Sequence, residues 1–228
     1  MGLTLEAVVP WGRSLAEYIK MFDLKPDDLQ LSILDCAGGP SSFNAEITQQ
    51  GYKVISCDPV YQFTIDEIAQ RIEDTYSTII DGVGANFDCY VWEDIKSPEE
   101  LGQVRMAAMQ QFLKDFPLGL AEGRYLVEGL PVLPFNSNQF DLALCSHFLF
   151  TYSAQLSAEF HLASILEMSR VATEVRIFPI LNISGEVSPL LESVMNKLEM
   201  QGYHTEIRQV PYQFQKNGNQ MLRVCQPR

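Results

Sequence analysis

Residues 31–58, LSILDCAGGPSSFNAEITQQGYKVISCD, set out a strand, a tight turn, a helix and a second strand in unbroken order. The first strand (31–37) is mostly apolar rather than alternating, as suits a parallel strand covered on both faces. Gly38 and Gly39 make the turn. Ser41 or Ser42 is placed to cap a helix over 42–50, which Gly51 stops. A right-handed crossover of this kind carries the turn to the carboxyl end of the sheet, where α/β proteins bind ligands. Asp58 closes the second strand about twenty residues after the glycines, where an acid meets ribose hydroxyls in nucleoside-binding units. The stretch therefore predicts a nucleoside site.

The turn narrows the choice of nucleoside. A dinucleotide site wants three glycines spaced GxGxxG, whereas Gly38 and Gly39 are adjacent and bulkier residues follow. No Lys-Ser/Thr pair follows either, which excludes a P-loop. The run Ile33-Leu34-Asp35-Cys36-Ala37-Gly38-Gly39-Pro40-Ser41 instead resembles the first motif of class I S-adenosylmethionine-dependent methyltransferases, in which an acid opens a Gly-rich turn. Ala37 and Ser41 stand where glycines are commoner, and both are small. A second block, LPFNSNQFDLALCSH over 133–147, is similar to the family's segment leading into its fourth strand. The chain looks like a little-characterised bacterial branch of this superfamily.

The resemblance implies S-adenosyl-L-methionine as cofactor and a Rossmann-like α/β fold. Its mostly parallel seven-stranded sheet should run 3-2-1-4-5-7-6, with strand 7 antiparallel. Carried over residue by residue, it places Asp35, Ala37, Gly38, Gly39 and Pro40 at the cofactor turn, and Asp58 and Pro59 at the ribose. Gly129 and Leu130 would read the adenine edge, since Glu128 is one residue off the usual acid. Cys145 and Ser146 would face the methionine moiety. His147, just past that strand, is the candidate general base, with an intrinsic pKa suited to the task. Arg13 lies before a helix expected over the cofactor mouth, where its guanidinium would grip the methionine carboxylate bidentately. No acceptor motif is present; the implied partner is a small molecule.

Composition sets outer limits. The chain of 228 residues is long enough for one full core, and 20% charged residues mark a soluble globular protein. A net charge of −13 argues against nonspecific nucleic-acid binding, which normally shows a basic face. Five cysteines lie scattered without CxxC or Cys/His metal spacing, so no metal site is expected. Reduced thiols, the lack of a signal pattern and the lack of a spanning apolar run predict a cytoplasmic protein off the membrane. Oligomeric state is not legible.

Along the chain, one methyltransferase domain over 1–228 is expected, with a helical cap over 1–30. The 64–124 interval is too long for an ordinary connection and should hold an inserted helical element. It carries a helix over 64–80 and another after Ser97-Pro98-Glu99-Glu100, which reads as a capping box with Pro at the first position. Leu101, Val104, Ala108, Phe112, Leu113 and Phe116 form the second helix's apolar face. Phe87, Tyr90 and Trp92 would pack the insertion onto the sheet or wall an acceptor site. The final strands, 205–215 and 220–226, are joined by Lys216-Asn217-Gly218-Asn219, a hairpin signal. Two other readings stand beside methyl transfer: a catalytically silent scaffold or sensor binding the same nucleoside, and a nicotinamide-dependent oxidoreductase. The glycine spacing and terminal hairpin disfavour the latter.

Overall fold

The computed structural model describes residues 9–227; the first eight residues of the expected 1–30 cap lie outside it. Seven strands form one sheet in the order β3-β2-β1-β4-β5-β7-β6. These are β1 (Ile33–Cys36), β2 (Val54–Cys57), β3 (Tyr125–Leu126), β4 (Phe140–Ser146), β5 (Ala172–Phe178), β6 (His204–Gln209) and β7 (Gln220–Cys225). β1 to β5 pair in parallel, and β7 runs antiparallel to both β5 and β6. This is the α/β, Rossmann-like arrangement expected of a class I methyltransferase, with its C-terminal antiparallel pair.

The central strands are apolar because both faces are covered. On one face, Leu34, Ala143 and Val175 pack with Ile165 and Met168 of α5 (Ala158–Val171) and Val194 of α6 (Leu191–Met200). On the other, Ile33, Leu142 and Leu144 meet Tyr18 and Met21 of α1 (Leu15–Met21) and Phe43 of α2 (Phe43–Gln49). Each fully buried side chain of this size contributes about 1.5–3 kcal/mol. The sheet therefore gives a rigid platform whose carboxyl ends are free for a site.

The insertion is two long helices, α3 (Ile65–Ala85) and α4 (Pro98–Ala121), packed on each other. Thr64 caps α3 in a reciprocal box with Glu67, and the helix runs five residues past the expected end. Ser97 caps α4 by accepting from the Glu100 N–H, but the Glu100 carboxylate takes the Lys96 N–H at 2.6 Å, so the expected box is only half formed. On α4 the buried stripe passes through Arg105 rather than Val104, which is exposed. Arg105 sits four residues from both Leu101 and Met109 and so faces inward with them.

Two local expectations are corrected. Strand β3 keeps only two residues where five were expected, and Gly129 falls in the turn that follows. Strand β6 stops at Gln209, so Asn217-Gly218 is not the turn of a tight hairpin. Pro211 lacks the N–H needed to continue the ladder, and residues 210–219 leave the sheet as a ten-residue loop. That loop bonds to the insertion: Val91 N–H donates to the Phe214 carbonyl at 2.7 Å, and Lys216 N–H to the Cys89 carbonyl at 2.9 Å.

Candidate active site

The turn after β1 is shaped by backbone. Ala37 and Gly39 both have positive φ (55° and 54°), a region costly for a residue with a Cβ and free for glycine. Ala37 carries that strain where the resembling family prefers glycine. Gly38 is required for a different reason: a Cβ there would stand 2.4 Å from the Asp35 carboxylate and 2.9 Å from the Tyr61 hydroxyl. The Gly39 N–H donates to Asp58 Oδ2 at 2.9 Å, and its carbonyl accepts from the Tyr61 hydroxyl at 2.9 Å. Asp58 Oδ1 also accepts from the Val60 N–H at 2.8 Å. Asp58 thus locks the turn onto the end of β2 and keeps further acceptor positions, since a carboxylate offers about four.

Asp35 lies beneath this turn rather than in the cavity. It is 1% exposed and accepts from the Tyr18 hydroxyl at 3.1 Å and the Ser56 hydroxyl at 3.0 Å. Burial pushes its carboxyl up to about 7, against the pull of those two bonds. Burial also raises Asp58, while the Val60 and Gly39 N–H groups counter it. Asp35 therefore supports the turn from below, through Tyr18 and Ser56. Its proximity to Gly38 leaves no room for a larger residue there.

The N-terminal segment crosses the turn from above. Gly12 touches it so closely that a Cβ would fall 2.0 Å from the Pro40 carbonyl oxygen. The Arg13 carbonyl accepts from the Ser41 hydroxyl at 2.5 Å and the Ser42 N–H at 3.1 Å. Ser14 then caps α1 in a box with Glu17. The α2 cap is weaker than expected: Ser42 makes no cap bond, and Ser41 accepts from the Phe43 N–H only at 3.4 Å. These serines bind the crossing chain instead, and that crossing sets Arg13 at the cavity.

Arg13, the turn from Ala37 to Pro40, Asp58 and Pro59 line one cavity of about 740 Å³ at the carboxyl ends of the strands. Gly129, Leu130, Ser146 and His147 line the same space. The volume lies within the ~300–1,000 Å³ typical of small-molecule sites. Cys145 does not join them: it is fully buried in the core under β4, so its expected place at the methionine moiety is corrected. The cause is the strand's alternation, which turns Cys145 into the sheet while Ser146 and His147 reach the rim. Glu128 is exposed and off the cavity, as its displacement by one residue suggested.

His147 has positive φ (49°), held by its N–H donating to the Phe178 carbonyl at 2.6 Å. Its Nδ1 lies 2.9 Å from the Ser146 hydroxyl, and its ring meets Phe178 edge-on at 5.2 Å. Burial, then Arg13 and Arg105, push the imidazole well below its usual pKa, so the ring is neutral at pH 7. A histidine so placed is a weak proton acceptor and a sound neutral hydrogen-bond partner. This revises the basis on which a general-base role was expected.

Sequence reading missed Arg105, which is 1% exposed and donates to Glu17 through Nη1 and to the Tyr212 hydroxyl through Nη2 at 3.2 Å. Burial pushes Glu17 up, but Arg105 overrides it and holds the carboxyl at about 2. Three distant elements, α1, α4 and the 210–219 loop, meet at this cluster. The available signal was an arginine on an apolar helical stripe. Arg13 makes one hydrogen bond, from Nη1 to the Trp11 carbonyl at 3.1 Å, and among the described residues no carboxylate lies within ion-pair distance of it. Its Nε is buried without a partner.

Comparison with known proteins gives a family. No protein-family model matches the chain. The "uncharacterized protein MJ0045" of Methanocaldococcus jannaschii is 33% identical over 221 residues, spanning 96% of this chain and 97% of that protein. The chain belongs to the MJ0045 family. This relative is archaeal, so a bacterial placement of the branch stays an expectation. Solved structures similar to this member of the MJ0045 family include the magnesium protoporphyrin IX methyltransferase ChlM of Synechocystis PCC 6803 with bound SAM. It shows 13% identity, covering 88% of this chain and 72% of that one, at a TM-score of 0.44. The 1,6-didemethyltoxoflavin-N1-methyltransferase of Burkholderia thailandensis shows 11% identity, 87% and 72% coverage and a TM-score of 0.44. A putative S-adenosyl-L-methionine-dependent methyltransferase of Methanococcus maripaludis shows 9% identity, 94% and 84% coverage and a TM-score of 0.44. Among the described residues of this MJ0045-family chain, no helix is long and apolar enough to cross a membrane, and no cluster of three His, Cys, Asp or Glu side chains is set to hold a metal.

Proposed function

We propose that this chain is an S-adenosyl-L-methionine-dependent methyltransferase acting on a small-molecule acceptor, with the cavity as its active site. The observation that carries the proposal is the joining of a strained glycine turn to Asp58 at one end of a cavity whose other end opens beside His147. The residues present fit the cofactor. A Cβ on Gly39 would point into open space, with only Asp58 Oδ2 within 4 Å, at 3.9 Å, so the turn leaves a cradle for a ligand. Arg13 supplies an unpaired cation for a carboxylate.

When bound, S-adenosyl-L-methionine supplies an electrophilic methyl on a sulfonium. Asp58 holds the ribose hydroxyls, Gly129 and Leu130 bound the adenine edge, and Arg13 pairs with the methionine carboxylate. The carboxyl end of β4, through Ser146 and His147, orients the acceptor. Helices α3 and α4 and the 210–219 loop exclude water, which is the larger share of the work where alignment and desolvation drive the reaction. The whole of 1–228 acts as one methyltransferase domain with 64–124 as its cover. Its five free cysteines suit a reducing compartment such as the cytoplasm.

Calorimetric titration with S-adenosyl-L-methionine, S-adenosylhomocysteine and NAD tests the reading. The first two should bind and NAD should not. Binding of NAD alone would point to the oxidoreductase. Binding of the sulfonium nucleoside without transfer of labelled methyl into cell-extract metabolites would leave the silent scaffold.

A further inference from the structure

The cavity changes character along α3. Near the end of β2, Arg71 lies over the Phe63 ring at 3.9 Å and Asp74 stands one turn on, two opposite charges in the same wall. Farther along the helix, Ile79 and Val83 line the cavity and pack with Tyr90 and with Leu101 of α4 in one buried apolar cluster. Aromatic rings complete that end from two more segments. Phe148 and Tyr152 follow β4, and Tyr212 and Phe214 come from the 210–219 loop. Tyr90 and Phe214 stack at 4.9 Å, with Trp92 edge-on to Phe214 at 5.4 Å. The Val91 bond to Phe214 and the Lys216 bond to Cys89 flank the bridge between Tyr90 and Gln215, so this wall is fixed before a ligand arrives.

The charges at this end are already answered. Arg105 is paired with Glu17, and the Tyr212 hydroxyl closes the group: it accepts from Arg105 Nη2 at 3.2 Å and donates to Glu17 Oε1 at 3.1 Å. Arg13 is taken by the methionine carboxylate under the reading above. The other charged groups that line the cavity among the described residues, Asp58, Arg71 and Asp74, stand by the end of β2. An ion placed among Ile79, Val83, Leu101 and the rings therefore gives up its water without meeting a counter-charge. An uncharged ring gives up little and gains apolar contact.

Resting on the methyltransferase reading above, we propose that the acceptor is an uncharged, planar aromatic compound. Its ring lies among Tyr90, Phe148, Tyr152 and Phe214. Planarity follows from those side chains: a flat molecule meets them in offset stacks or edge-on, and it brings few rotatable bonds to be ordered. Neutrality follows from the apolar cluster, which rejects acidic and amine-bearing analogues by leaving their charge unsolvated. The polar pair at the rim, the Ser146 hydroxyl and His147 Nδ1 at 2.9 Å, is left to meet the acceptor's polar edge.

The test is titration of four matched probes into the full chain saturated with S-adenosylhomocysteine at pH 7.5: 2-naphthamide, 2-naphthoate, 2-naphthylmethylamine and the saturated, puckered decahydro-2-naphthamide. Naphthamide should bind at least tenfold more tightly than both the acid and the amine, and at least threefold more tightly than its saturated analogue. Phe214→Leu keeps an apolar side chain without a ring. It should shrink the advantage of the flat amide over the saturated one and keep the preference over both ions. A charged probe binding as tightly as naphthamide, equal binding of the flat and saturated amides, no binding of any probe, or a planar preference unmoved by Phe214→Leu would each overturn the proposal. If S-adenosylhomocysteine itself does not bind, the methyltransferase reading fails and the proposal falls with it. If it binds and the order of probes fails, only the proposal falls.

Discussion

The two ends of the cavity are built in different ways. The end proposed for the nucleoside comes largely from one contiguous run, 35–61, and its contacts are mostly to backbone: the Gly39 and Val60 N–H groups on Asp58, and the Tyr61 hydroxyl on the Gly39 carbonyl. The end proposed for the acceptor is lined by five separated segments, around residues 9–13, 79–105, 147–152, 178–183 and 212–218. Backbone turns bind what is common to a cofactor; convergent side chains select what differs among acceptors. Substitutions at the two ends should therefore separate cofactor affinity from acceptor affinity.

The largest effect is expected beneath the turn. Asp35 has a folded-state pKa of about 7 against 3.8 for the free side chain. The folded state thus holds an extra proton between those values, and its stabilising effect is present below about pH 4 and lost as pH rises through 7. Asp35→Asn removes the titration. Relative to the parent, the variant should gain stability on going from pH 5 to pH 8, by a few kcal/mol at ~1.4 kcal/mol per pKa unit. Urea denaturation at the two pH values reads the difference. A constant offset between the two proteins would show that Asp35 is ionised throughout.

Asp58→Ala comes next. Losing a charged hydrogen-bond acceptor of this kind costs about 1.5–3 kcal/mol, so S-adenosyl-L-methionine should weaken roughly tenfold to more than a hundredfold. An unchanged dissociation constant with the fold intact would remove the ribose from Asp58. The Gly39 anchor is lost in the same variant, so circular dichroism must accompany the titration.

Arg13 stands at the border of the two ends and should show a smaller loss. Arg13→Ala should weaken S-adenosyl-L-methionine about tenfold, and Arg13→Lys less, because lysine keeps charge without the bidentate geometry. The control is 5′-methylthioadenosine, which lacks the carboxylate and should bind all three proteins alike. Equal losses for both ligands would make Arg13 only a strut of the crossing segment.

The smallest effect on cofactor is the one that sharpens the contrast. Phe214→Ala removes an aromatic wall of the proposed acceptor end, on the 210–219 loop rather than on the 37–58 turn. Cofactor affinity should stay within about twofold, while transfer of labelled methyl into cell-extract metabolites falls at least fivefold. A parallel loss of both would mean that the 210–219 loop closes over the whole cavity as a unit.

Much of this fold was legible because its signals are local. The apolar strands at 33–36 and 140–146, the helix beginning at 64 and the Gly38-Gly39 turn each follow from neighbours a few residues away. The errors fell where a local signal was outvoted. Asn217-Gly218 carries hairpin chemistry, yet Pro211 and the pairing of Tyr90 with Gln215 draw the chain off the sheet toward the insertion. Cys145 belongs to the right strand but to its inward face. Val104 was assigned a buried place that Arg105 occupies, because a charged side chain is buried only when a partner such as Glu17 meets it, and that partner is 88 residues away.

The sequence by itself determined the element order, the parallel sheet with its antiparallel close, and the Gly38-Gly39 turn with Asp58 that lines one end of the cavity. Those rest on periodicity, capping and turn chemistry, whose range is within one crossover. Only the tertiary structure decided the acceptor end: the pairing of Arg105 with Glu17 and Tyr212, the unpaired state of Arg13, and the neutral ring of His147. Those properties are sums of burial and charge over groups far apart in the chain, and such sums exist only once the chain has folded.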